Sequence, residues 1–331
     1  MIQSVSTLDR RRLWLFLIFI SLFVGLTGLT MAQTYPDRAV KIVVPYPPGG
    51  ATDITARLVA AKLSEQLGQP FLIENKPGGG GNPGAEYVAR SAPDGYTLLV
   101  ATTAHAINPS LFSKLNYQLL KDFLPVSQLT SGPLVIVANP ALAANSLPEL
   151  IALAKSKSGG LNYASSGNGQ STHLSAELFN AMAGVKMVHI PYKGSAPALT
   201  DVMGGQADLM FDTMLTAMPH VKGGRLKALA VTSAQRSIAA PELPTVAESG
   251  LPGYEAIAWN GILAPSGTPK AVVARLNAEI KKVLELPEVR QRIEAQGFSP
   301  SWNTPDVFSG FMKTEVDKWF KVVKLSGAKA E

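Results

Sequence analysis

The chain of 331 residues contains no cysteine. That excludes a disulfide framework, a thiolate metal site and a cysteine nucleophile, and leaves nothing to oxidise in an oxidising compartment. Histidine is scarce too. The four present, His105, His173, His189 and His220, match no zinc-ligand spacing and none has a histidine partner four residues on, so no metal is expected. Charged residues make up only 16% of the chain, and the excess of 30 basic over 24 acidic residues is gathered in no basic patch. Nucleic acid is therefore not an expected partner. There is no G-x-x-x-x-G-K-[ST] phosphate loop and no G-x-S-x-G elbow, and no internal repeat.

What is present starts with the N-terminus. Arg10, Arg11 and Arg12 precede an apolar run from Leu13 to Val24, and Thr30-Met-Ala32 supplies small residues for cleavage. Residues 1–32 read as a cleavable signal peptide that sends the chain to the periplasm. The run is broken by Ser21, Gly25 and Gly28 and is short for a membrane span. The remaining chain, about 300 residues, is long enough for two ordinary domains.

From Ala39 onward, short Val/Ile/Leu-rich runs alternate with helical patterns, which predicts α/β architecture with mostly parallel sheets. Strand-like runs are Val40–Val44, Phe71–Glu74, Tyr96–Ala101, Leu134–Ala138, Met187–Ile190, Leu209–Phe211 and Leu226–Val231. Ala56, Val59, Ala60, Leu63 and Leu67 share one helical face; Leu174, Leu178, Ala181 and Met182 share another. Gly68 and Gly184 stand where those helices should stop. Ser146, Thr268 and Thr304 are expected N-caps. Beyond Pro265 the pattern is helical only, and Ser326–Glu331 reads as a frayed tail.

Two segments share one grammar: a strand-like run, a turn of small residues, then a helix start. In the first, Lys41-Ile-Val-Val-Pro-Tyr-Pro-Pro-Gly-Gly50 leads to a helix start around Thr52 and Asp53; in the second, Leu161-Asn-Tyr-Ala-Ser-Ser-Gly-Asn-Gly-Gln170 leads to a helix with His173 in its first turn. Neither turn contains Lys or Arg. Facing each other across a cleft, they would hold an anion with backbone N–H groups and helix dipoles alone.

Several residues carry competing readings. Asp53 sits at a helix start, where it caps the helix or accepts from a ligand. Asp212 ends a strand, where it closes a turn or points into a cleft. His173 is a packed, hydrogen-bonded residue or a ligand contact. Tyr46 and Trp259 are core aromatics or cleft walls, Tyr46 favouring the wall because prolines flank it. Gly79-Gly-Gly-Asn-Pro-Gly84 matches a dinucleotide fingerprint in form, but no acidic residue stands between Asp94 and Asp122 to take a ribose, so no cofactor is expected. Ser166, His173 and Asp212 form a weak candidate triad.

In ordered succession, several short motifs resemble the extracytoplasmic solute receptors of tripartite tricarboxylate transporters, the Bug family. They are Pro45-Tyr-Pro-Pro-Gly-Gly50 with Asp53, Asn75-Lys-Pro-Gly78, Pro93-Asp-Gly-Tyr-Thr-Leu-Leu99, Ile107-Asn-Pro109 and Ser166-Gly-Asn-Gly169 with His173. Pro191-Tyr-Lys-Gly194, Gly204-Gly-Gln-Ala-Asp208 with Asp212, Leu243-Pro-Thr-Val246 and Ala264-Pro-Ser-Gly-Thr-Pro269 complete the set. The resemblance implies a type II periplasmic-binding-protein fold: two α/β lobes, 33–130 with 254–331 and 131–253, joined by two crossing strands around a ligand cleft.

It also implies a non-enzymatic, monomeric carrier of a small carboxylate that docks to membrane permease subunits. On that resemblance the ligand-binding residues are Tyr46, Pro48, Gly50, Ala51, Thr52 and Asp53 in one jaw. Ser165, Ser166, Gly169, Ser171, Thr172 and His173 form the other, and Thr102, Thr103, Tyr192 and Asp212 the floor or side. A sensory receptor on the same scaffold is the alternative; a hydrolase is the remaining one.

Overall fold

The computed structural model describes residues 35–156 and 160–330. The expected signal peptide therefore lies outside the described residues. The Val/Ile run Val40–Val44 forms β1, pairing in parallel with β2 (Phe71–Asn75) on one side and β3 (Thr97–Thr102) on the other. Helix α1 (Ala51–Leu67) returns the chain across the sheet, burying Ala56, Val59, Ala60 and Leu63 as the periodicity predicts. It stops at Gly68, which takes the left-handed conformation (φ 66°) a C-cap requires.

A 3₁₀ turn (Gly79–Gly81) leads into α2 (Asn82–Ala89), and β3 into α3 (Thr103–Leu111). The glycines there serve packing. A Cβ on Gly84 would stand 2.9 Å from Pro45 Cβ, so the turn is pressed against the start of the first glycine loop. Asn108 Nδ2 donates to Gly80 O (3.0 Å) and to Asn82 Oδ1 (2.7 Å), pinning the turn to α3.

After the short α4 (Leu119–Asp122), the 16-residue strand β4 (Phe123–Ala138) changes partners along its length. Its first part pairs antiparallel with β9 (Ile257–Pro265); from Leu134 it pairs antiparallel with β7 (Leu209–Thr213) and β8 (Lys227–Val231). At Gly132, just before the change, a Cβ would stand 2.9 Å from both Gly297 O and Phe298 Cδ1, a closeness that only glycine permits. Beyond it, β5 (Asn162–Ser165) lies in parallel between β6 (Val188–Pro191) and β7. The sheet order is β2-β1-β3-β9-β4-β7-β5-β6, with β8 and the two-residue β10 (Ser299–Pro300) also on β4. The sheet is parallel in its two wings and antiparallel at its centre, where β4 and β9 carry the chain across and back.

Helices α5 (Leu147–Ser156), α6 (Ser171–Ala183), α7 (Ser195–Met203) and α8 (Met214–Lys222) belong to the second wing. Its core gathers Val135, Val137, Ala164, Leu199, Val202, Met210 and Val231. Helices α9 (Lys270–Glu285), α10 (Pro287–Glu294) and α11 (Pro305–Ser326) close the chain. Among the described residues, no helix is long and apolar enough to cross a membrane.

Four local expectations are corrected. In α6 Leu174 is buried as expected and Leu178 is half-buried, but Ala181 and Met182 face outward, and Thr172, Ser175, Ala176, Phe179 and Ala183 are buried with Leu174 instead. Thr172 on that stripe accepts from Ser166 N–H (3.0 Å) through its hydroxyl, and Tyr254 Oη donates to the backbone carbonyl of Ser175 (2.9 Å). Thr268 does not cap α9, since its hydroxyl donates to Pro265 O (2.8 Å). Strands do not cease at Pro265, because β10 adds to β4. The tail is tied down, with Ala330 N–H donating to Leu111 O at 3.3 Å.

Candidate functional site: a cleft at five helix N-termini

Each glycine loop leaves the carboxyl end of a strand that lies between two parallel neighbours, β1 between β2 and β3, and β5 between β6 and β7. Those are the switch points at which open α/β sheets bind ligands. A cleft of about 470 Å³ opens there, and five helices begin on its wall. Gly50, Ala51 and Thr52 start α1; Thr102 and Thr103 start α3; Gln170, Ser171 and Thr172 start α6. Gly194, Ser195 and Ala196 start α7, and Thr213 and Thr216 start α8. No side chain caps α1, α6, α7 or α8. Their first-turn N–H groups and positive dipole ends thus converge on one space, an arrangement suited to an anion.

Of the candidate ligand residues, Tyr46, Pro48, Gly50, Ala51, Thr52, Thr102, Thr103, Ser166, Ser171 and Thr172 line this cleft. Tyr46 stands in the wall, its hydroxyl 2.7 Å from Thr102 Oγ1. Burial pushes its pKa upward, so it remains a neutral phenol. His105, buried in the first turn of α3, accepts from Thr102 N–H at 3.0 Å, and burial lowers its pKa to about 4. It holds the start of α3 as a neutral imidazole.

The other six do not line the cleft; they hold its wall from behind. Asp53 is 2% exposed and accepts from Gly49 N–H (2.9 Å), Arg57 Nε (2.9 Å) and Asn75 Nδ2 (2.8 Å). Burial works against its charge, but the bonds from Arg57, Asn75 and Gly49 outweigh it and hold its pKa below the usual range. The carboxylate thus anchors the first glycine loop from inside.

Behind the second loop, Ser165 Oγ lies 2.7 Å from His189 Nε2, and His173 Nδ1 accepts from Gly169 N–H at 3.2 Å. Gly169 itself takes φ 76°, and a Cβ there would stand 2.4 Å from Leu111 Cδ2. Tyr192 Oη donates to Asp201 Oδ2 (2.7 Å). Asp212 is fully buried on β7, accepting from Ser195 Oγ (2.7 Å) and Thr216 Oγ1 (2.5 Å). Burial raises its pKa against those hydroxyls and the Thr213 N–H.

Ser166, His173 and Asp212 accordingly belong to three separate networks. Ser166 Oγ pairs with Thr172 Oγ1 (2.8 Å), His173 with Gly169, and Asp212 with Ser195 and Thr216, so no triad is assembled.

Sequence reasoning missed several cleft residues. Ser195, Thr213 and Thr216 flank positions it did mark, namely the Pro191–Gly194 motif and Asp212, but lie one to four residues away. Asn260 on β9 accepts from Thr52 Oγ1 (3.1 Å) and donates to Thr130 Oγ1 (3.0 Å), tying the first jaw to both crossing strands. Trp259 is both core and wall: it is 1% exposed, touches the cleft, and its Nε1 donates to Glu315 Oε2 at 3.0 Å. A cation is also present, because the exposed Lys193 stands at the cleft although both glycine loops lack one.

Comparison with known proteins agrees with this geometry. Residues 55–327 match the family model described as tripartite tricarboxylate transporter family receptor. The chain is 39% identical over 318 residues to Protein BugT of Bordetella pertussis, covering 95% of this chain and 98% of that one. Among solved structures it is similar to Rpa4515 of R. palustris with adipate (38% identity, TM-score 0.83, 89% of this chain and 100% of that one). It is also similar to MatC of Rhodopseudomonas palustris with bound malate (37% identity, TM-score 0.79, 87% and 100%). The fold is thus that of the periplasmic binding proteins. The chain belongs to the tripartite tricarboxylate transporter receptor family, whose members are solute-binding receptors and not enzymes.

Proposed function

We propose that this protein is exported by its N-terminal signal peptide, captures a small organic carboxylate in the cleft as a monomer, and delivers it to the permease subunits of a tripartite transporter. The observation that carries this reading is the convergence of five helix N-termini on one cleft whose two jaws contain no Lys or Arg. A carboxylate is the anion that such an array of N–H and hydroxyl donors suits. The adipate and malate of the two similar structures support the same class.

The moving bodies are residues 33–130 with 254–331 and residues 131–253, with β4 and β9 as the crossing strands. Closure of the jaws expels water and strengthens each N–H bond to the ligand. A grip made mainly of neutral donors lets the ligand leave again. The test is a thermal-shift series on the chain from Gln33 against mono-, di- and tricarboxylates and amino acids. A ligand at 100 times its dissociation constant adds about 2.7 kcal/mol of stability. A shift confined to acids supports the reading, and none with any acid refutes it.

A further inference from the structure

The cleft wall is not uniform in polarity. On most of it, helix N-termini present donors. One patch differs, where Ser195, Thr213 and Thr216 meet over the buried Asp212. Asp212 accepts at both of its carboxyl oxygens, which leaves the hydrogens to its partners. Ser195 Oγ (2.7 Å) and Thr216 Oγ1 (2.5 Å) must therefore both donate to it. Thr213 Oγ1, 2.6 Å from Thr216 Oγ1, is left to donate to Thr216. Each of these hydroxyl hydrogens is directed along the chain toward Asp212, so the hydroxyls themselves offer only oxygen lone pairs to the cleft, beside the backbone N–H groups of the two helix starts. Asp212 has no ion-pair partner among the described residues; burial raises its pKa, and the bonds from Thr216, Ser195 and Thr213 N–H oppose that rise.

We propose that Asp212 is a positioning residue that turns Ser195, Thr213 and Thr216 into an acceptor patch, so that the preferred ligand is a carboxylate bearing a hydroxyl or ammonium donor. This rests on the carboxylate reading of the cleft and narrows it. A bare carboxylate oxygen at the patch would face lone pairs and leave them unpaired, whereas a site built around a polar partner rejects the analogue that lacks it.

The experiment is calorimetric titration of the chain from Gln33 with two matched sets: succinate, malate and aspartate, and adipate with its 2-hydroxy and 2-amino derivatives. At least one set should show its hydroxy or amino member binding about tenfold or more tighter than the plain diacid. The two substituted members distinguish hydroxyl from ammonium. In Asp212→Asn the amide donates to one hydroxyl and turns its hydrogen toward the cleft, so that preference falls to about threefold or less. Thr216→Val removes one acceptor and lowers it likewise, which keeps the test informative if Asp212→Asn does not fold. A merely structural role for Asp212 lowers all affinities alike and leaves the ratio unchanged, which overturns the proposal. Equal binding of all members by the unaltered protein overturns it too, while the carboxylate reading stands. No binding by any acid overturns both.

Discussion

His173 and His189 stack face to face behind the second glycine loop, with ring centroids 3.9 Å apart and planes 6° from parallel. Each holds the loop, His173 through Gly169 N–H and His189 through Ser165 Oγ. Tyr163 stacks on His189 at 5.0 Å. Glu177, bonded to Tyr163, and Lys329 of the tail line the small cavity beside them.

That pair should make stability depend on pH. Burial, with His189 close by, lowers the pKa of His173 to about 3, and burial lowers that of His189 to about 4, from an ordinary 6.5. The unfolded chain therefore takes up protons that the folded chain refuses. The stabilisation is complete above pH 6.5 and is lost as pH falls toward 4. Thermal midpoints measured from pH 7.5 to 4 should fall through this window, and His173→Asn with His189→Gln should flatten the fall. An unchanged slope in the double variant would count against the assignment.

Asp53 should matter to both fold and ligand. Asp53→Ala leaves Gly49 N–H without its acceptor and removes one of the two bonds that Asn75 Nδ2 donates, the other being to Tyr46 O. A loss of about 1 to 3 kcal/mol in urea unfolding is expected, with weaker carboxylate binding by calorimetry. Unchanged affinity in a folded variant would show that the jaw does not need this anchor.

Gly84 should resist enlargement. An added methyl would stand 2.9 Å from Pro45 Cβ, and 3.2 Å from Pro45 Cα, a backbone atom that cannot swing aside. Gly84→Ala is expected to cost about 1 to 3 kcal/mol, and Gly84→Val more. Denaturant midpoints for the two variants decide it.

Release should slow when a jaw gains a bidentate cation. Ser171→Arg places a guanidinium in the second jaw, and a charge-assisted bond of about 1.5 to 3 kcal/mol should lower the off-rate roughly tenfold or more, with a much smaller change in on-rate. Stopped-flow displacement measures both. An off-rate equal to that of the unaltered protein would remove the argument that neutral jaws exist for hand-over.

The two jaws were legible because each spells its own local structure: strand, small residues, helix start. The stops at Gly68 and Gly184 were legible for the same reason. The centre of the sheet was not. The first part of β4 buries Ser127, Gln128 and Thr130, and Pro125 interrupts its pattern, so no apolar run announces a strand. Its polar side chains are paid for by partners far along the chain: Gln128 bonds Asn303, and Thr130 accepts from Asn260. The floor of the cleft was half legible. Asp212 was marked, but the three hydroxyls it orients come from two further helix starts that resemble ordinary caps, and only tertiary structure brings them to one wall.

On the function proposed above, helix N-termini hold an anionic carboxylate in this cleft. The most direct measurement is calorimetric titration of the chain from Gln33 with the tightest-binding diacid found in the thermal-shift series, beside the matching diamide of the same carbon frame. The diacid should bind at least about 100-fold tighter, with Lys193→Gln changing its affinity by less than about tenfold because the rim cation is not the anchor. Equal affinity for the diamide, or loss of diacid binding in Lys193→Gln, would contradict the account.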